Sequence, residues 1–78
     1  MRRRKAFTKA FGIALREART RAELSQERLA FHAGVHPTYI SHVERGLKSP
    51  TLDVLAALAS ALHQQPHTLI KAAEDKLR

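Results

Sequence analysis

Seventy-eight residues suffice for one small domain with a modest core, and no disulfide can reinforce it because the chain has no cysteine. No run of about 18 apolar residues exists, and the basic start MRRRKAF lacks the apolar stretch of a secretory signal, so a membrane span is excluded and a reducing, cytoplasmic setting is expected. The net charge of +7 is lopsided: residues 1–21 hold eight basic side chains against Glu17 alone, while the remainder balances six against six. A neutral body with a basic end points to a polyanionic partner.

In chain order, residues 1–6 read as a basic arm, ordered or not, and 7–78 as a single domain. Almost everything reads as helix. No stretch alternates with period two, so the expected class is all-α. The first helix is expected from Phe7 or Thr8 to Arg21, with Phe7, Phe11, Ala14 or Leu15, and Ala18 on one face. Gly12 inside it costs about 1 kcal/mol relative to Ala. Ser25 caps the second helix; Arg28 stands where a capping box would carry Glu or Gln, while Glu27 lies in the first turn, where the helix dipole favours an anion. Leu29, Ala30 and Ala33 form its buried face and Gly34 ends it.

Pro37 opens the third helix, with His36 as an unusual cap and Gly46 as the stop. Thr51 or Ser49 caps the fourth, whose stripe is Leu52, Leu55, Leu58, Ala59 and Leu62. Pro66 starts the fifth, with Leu69, Ile70, Ala73 and Leu77 on one side. Connections of a few residues suit a compact five-helix bundle.

The stretch QERLAFHAGVHPTYISHVER carries the function. Two helices joined by so short a turn must cross closely. Ala30 supplies the small residue at the crossing, Gly34 tolerates positive φ, and Val35, Ile40 and Val43 pin the next helix to the body. This is the spacing of a helix-turn-helix. At about 100° per residue, Thr38, Ser41, His42 and Arg45 share one stripe about 100° wide on the third helix. Ile40, Val43 and Leu47 face the other way, with Tyr39 and Glu44 at the margins. Short donors and acceptors opposite a buried face suit a helix lying in the major groove of DNA, where base edges present a readable pattern.

The segments LSQERLA, YIS-VERG and SPTLDVLAALASAL resemble the Cro and phage-repressor (XRE-like) type of helix-turn-helix regulator over about residues 11–70. LAFHAGVHPTYISHVERG is similar to the controller proteins of restriction–modification systems. The resemblance implies a lambda-repressor-like five-helix bundle, a homodimer on a palindromic operator, and control of transcription. It implies base readout by Thr38, Tyr39, Ser41 and His42. Phosphate contacts fall to Gln26, Arg45 and Lys48, and Gln26 also braces the third helix. Arg19 and Glu44 match a structural pair tying the first helix to the third. Three positions depart from the pattern: Glu23 replaces the usual Gly or Asn, Pro37 an Arg common in controller proteins, and His36 the expected Ser or Thr.

One recognition helix makes a small interface, and half-sites are usually about 34 Å apart. A dimer is therefore expected, with Leu69, Ile70, Ala73 and Leu77 as candidates for its seam and closure of the core as the competing, and partly compatible, role of Leu69 and Ile70. Arg2, Arg3, Arg4 and Lys5 are candidate arm contacts to DNA.

Other chemistries find little footing. His32 and His36, like His63 and His67, are four apart, but a turn or Pro66 breaks each pair, so no metal or other cofactor is expected. No serine lies in a Gly-x-Ser-x-Gly setting and no phosphate-cradling glycine loop exists, so an enzyme is not expected. The alternative is an antitoxin-like module holding a protein partner through Phe31, whose competing fate is packing against the first helix. RNA polymerase is a further conceivable partner.

Overall fold

The computed structural model describes the backbone over residues 2–78 and side chains from Lys5 onward. Five helices follow one another: α1 (Arg2–Arg21), α2 (Gln26–Ala33), α3 (Pro37–Glu44), α4 (Leu52–Ala61) and α5 (Pro66–Asp75). α1 packs on α3 and α5, α2 on α3 and α4, and α4 on α5. Among the described residues no helix is long and apolar enough to cross a membrane.

α1 corrects one expectation. It does not begin at Phe7 or Thr8; Lys5 and Ala6 are already helical. Apolar periodicity starts only at Phe7, but Arg and Lys are good helix formers and extend the helix backward without a buried face. The arm contacts expected of Arg2, Arg3 and Arg4 concern side chains outside the described residues.

The core is drawn from every helix. Phe11, Leu15, Leu29, Ile40, Val43, Leu58 and Leu69 are each at most 3% exposed. Three apolar positions leave the expected pattern. Leu52 stands on the apolar side of α4 by periodicity, yet it is 83% exposed, because the first residue of the helix projects past its neighbours. Leu47 lies in the turn after α3 and Leu77 in the turn after α5, and both are exposed.

Gly12 has a reason that helix propensity does not show. A Cβ there would run into the carbonyl oxygens of Val43 and Glu44, so α1 and the end of α3 meet backbone to backbone at this residue.

Four helices end in the same way. Glu23, Gly34, Gly46 and His63 take φ of 59°, 73°, 75° and 57°. In each case the following N–H donates to the carbonyl five residues back: Leu24 to Arg19, Val35 to Ala30, Leu47 to His42 and Gln64 to Ala59, at 2.8–3.1 Å. This left-handed termination satisfies carbonyls that the helix leaves open. Gly34 and Gly46 adopt it without a Cβ penalty, whereas Glu23 and His63 carry one.

Candidate nucleic-acid interface

α2 and α3 are positioned by their caps. Ser25 Oγ accepts from Arg28 N–H at 3.0 Å, the ordinary hydroxyl cap. His36 does the same work with a ring nitrogen: Nδ1 accepts from Thr38 N–H at 3.1 Å, which requires that Nδ1 carry no proton. Pro37 then occupies the first helical position, where no N–H is needed. The turn between α2 and α3 is residues 34–36.

α3 has two faces. Inward, Ile40 and Val43 are fully buried. Outward, Thr38 and Arg45 are exposed, and Ser41 and His42 are half-buried. Tyr39 is half-buried between the two, and burial pushes its phenol above the ordinary value of 10.0. Lys48 is exposed in the loop after Gly46.

Periodicity places Glu44 at the margin of α3, but its side chain is only 3% exposed, and it forms with Arg19 the pair that the resemblance implies. Arg19 Nε donates to Oε2 at 2.6 Å and Nη2 to Oε1 at 3.1 Å, a two-pronged pairing, while Nη1 donates to the Leu24 carbonyl at 2.8 Å. Gln26 Nε2 donates to Oε1 of the same carboxylate at 2.9 Å. One buried carboxylate thus joins α1, the turn after it, the first residue of α2 and the last of α3. No buried side-chain nitrogen or oxygen among the described residues lacks a partner. The Gln26 amide keeps a second N–H for another acceptor.

The expected seam does not survive as a set. Leu69 and Ala73 are 1% and 0% exposed within the single chain, so neither has surface to offer a second copy. Ile70 remains half-buried and Leu77 exposed; Ile70 shares an apolar groove with Phe7, Phe11, Leu52 and Leu55. At the other end, Lys76 Nζ lies 2.7 Å from Glu17 Oε1 and ties the turn after α5 to α1. The Lys76 hydrogen bond, with its charge, holds the Glu17 carboxyl below the usual carboxylate value.

Phe31 does not pack against α1. It is 77% exposed, with His32 edge-on to its ring at 5.4 Å between centroids. His32 and His63 line one shallow depression rather than the pairs suggested by spacing. Among the described residues no three His, Asp or Glu side chains come together as metal ligands.

A helix-turn-helix whose recognition helix buries one face and presents small polar groups on the other defines the class. The family model described as helix-turn-helix matches residues 15–73, and the chain belongs to that family of DNA-binding regulators of transcription. Its relatives include controller proteins. The chain is 41% identical over 61 residues to control protein C.BamHI of Bacillus amyloliquefaciens, covering 77% of this chain and 75% of the relative. Its fold superposes on the restriction–modification controller protein C.AhdI from Aeromonas hydrophila with a TM-score of 0.78 and 44% identity, over 80% of this chain and 94% of that one. The clp gene regulator ClgR from Corynebacterium glutamicum aligns with a TM-score of 0.88 at 30% identity, over 91% of this chain and 76% of that one.

Proposed function

We infer that the protein binds a palindromic operator as a homodimer, with α3 of each copy in the major groove. The observation that carries this reading is the outward stripe Thr38, Ser41, His42 and Arg45, opposite a fully buried face. Thr38, Tyr39, Ser41 and His42 read bases. Arg45, Lys48 and the spare Gln26 N–H hold phosphates and set the depth of α3. The similarity to C.BamHI and C.AhdI supports a controller role beside a restriction–modification system. The dimer seam falls to Ile70, Leu77 and the groove edge at Leu52, because Leu69 and Ala73 serve the core.

Selection of bound duplexes from a random pool gives the operator, and gel shifts with Ser41→Ala and His42→Ala test the assignment. Each substitution should relax discrimination at one position of each half-site. Operator preference identical to the parent's in both variants would remove α3 from base readout.

A second reading, attachment of a toxin-like protein, is favoured by one observation, the 77% exposure of Phe31. Under it, a neighbour-encoded protein co-purifies with the parent and is lost from Phe31→Ser. Retention by Phe31→Ser would reject Phe31 as the attachment point.

A further inference from the structure

The excess positive charge of this chain lies in α1, and the fold sets part of it beside the loop that follows α3. Lys9 seats directly on Gly46: a Cβ built at Gly46 would lie 3.2 Å from Lys9 Cα and 2.8 Å from its Cγ. Arg45 precedes Gly46, Lys48 follows two residues later, and both are exposed. One turn back along α1, Lys5 lies on the same face as Lys9, and it too is exposed. No Asp or Glu occurs in residues 5–16 or 45–52. The ion pairs among the described residues are Arg19–Glu44, Lys71–Asp75, Lys76–Glu17 and Arg78–Asp75, and none uses these four cations.

Lys9 therefore lies against the loop that carries Arg45 and Lys48, with Lys5 one turn away on the same helix face, and none of the four is engaged in an ion pair among the described residues. Such a strip repels itself and attracts polyanions. It is also held firmly. Lys9 is anchored by its own contact with Gly46, by Phe11, 3% exposed, and by the backbone contact of Gly12 with the end of α3, and Phe7 packs partly on the core between it and Lys5. Little backbone freedom remains to be lost when a ligand binds along it.

We propose that Lys5 and Lys9 of α1 join Arg45 and Lys48 in one strip, set on a fixed backbone, that binds the phosphodiester backbone of the duplex flanking the bases read by α3. The strip lengthens the footprint as a fixed edge of the fold rather than as a loose arm. Lysine ammonium groups act here as point charges on flexible stems, so the strip adds affinity for any duplex and no discrimination. This inference rests on α3 entering the major groove. It adds a contact from α1 residues that precede the segment matched by the family model, which begins at residue 15.

The test is the salt dependence of binding to two duplexes, the pool-selected operator and an unrelated sequence. The probe is the double variant Lys5→Gln, Lys9→Gln, which keeps stems of similar character and removes both charges. Each phosphate contact contributes about 0.9 to the slope of log K against log salt. With two lysines lost from each copy of the dimer, the double variant should lose about 3.6 from the slope on both duplexes, keep the preference for the operator, and shorten the hydroxyl-radical footprint at one edge of each half-site. Lys5→Arg, Lys9→Arg should restore the slope.

An unchanged slope in the double glutamine variant, alongside a slope lowered by about 1.8 in Arg45→Ala (one contact per copy), would overturn the strip and leave the groove reading standing. Unchanged slopes in both, with unaltered discrimination in Ser41→Ala and His42→Ala, would overturn the strip and the groove reading together. A changed operator preference in the double variant would overturn the assignment to phosphates.

Discussion

The inner and outer faces of α3 obey different rules. Inside, Ile40, Val43 and Glu44 are fixed by what surrounds them: a packed core, the backbone of α1 at Gly12, and the hydrogen-bonding fork of Arg19. Outside, Thr38, Ser41, His42 and Arg45 have no partner in the described side-chain hydrogen bonds, except that the Thr38 backbone N–H serves the His36 cap. Stability is concentrated on one face, and the other is left to the recognition proposed for it. Under that proposal the outer residues can vary with the operator while the helix stays in place, and substitutions should separate cleanly into those that unfold the protein and those that only loosen DNA.

The largest expected effect lies on the inner face. Arg19→Ala strands the buried Glu44 carboxylate and should cost about 3 kcal/mol in urea denaturation, a large share of the stability of so short a chain. Gly12→Ala follows. Helix propensity alone promises a gain of about 1 kcal/mol, but the added methyl meets two carbonyl oxygens, and the net result should be a loss of about 1–3 kcal/mol. A more stable Gly12→Ala protein would show that α1 and α3 do not touch there.

On the outer face the readouts reverse. Arg45→Ala should leave the stability within about 0.5 kcal/mol of the parent while weakening every duplex and reducing the salt slope by about 1.8, one contact from each copy of the dimer. Tyr39 sits on the border, and it sharpens the comparison without mutation. It is the sole tyrosine and the chain has no tryptophan, so ultraviolet absorbance follows it alone. Burial favours its neutral phenol, so the unfolded chain ionises first. Its contribution to stability is complete below about pH 10 and is lost as pH rises through the higher folded-state value. The folded protein should titrate above 10.0 and return to the ordinary value in denaturant.

Much of this was legible in the sequence because it follows from periodicity and punctuation. Ser25, Gly34, Pro37, Gly46 and Pro66 mark helix boundaries through local chemistry, and the outward stripe of α3 follows from helical geometry. What escaped depended on the third dimension. Leu52 has the right periodicity and the wrong position, beyond the reach of its neighbours. The resemblance implies the Arg19–Glu44 pair, but the depth of its burial, with a guanidinium from 25 residues away, needs the fold. Leu69 and Ala73 lie on an apolar face that the rest of the chain already covers, which spacing alone cannot distinguish from a face awaiting a second copy. Gly12 looked like a defect in a helix, and only the crossing of α1 over α3 gives it a purpose. The start of α1 escaped for a different reason: a polar helix end leaves no apolar rhythm to read.

The two left-handed helix ends that lack glycine leave this protein some unspent thermal reserve. Glu23→Gly and His63→Gly should each raise the melting temperature by a few degrees, the signature of about 1 kcal/mol in a chain this size. Neither change touches the outward stripe of α3, so a hardier version for crystallisation or sensor use is within reach of two codons.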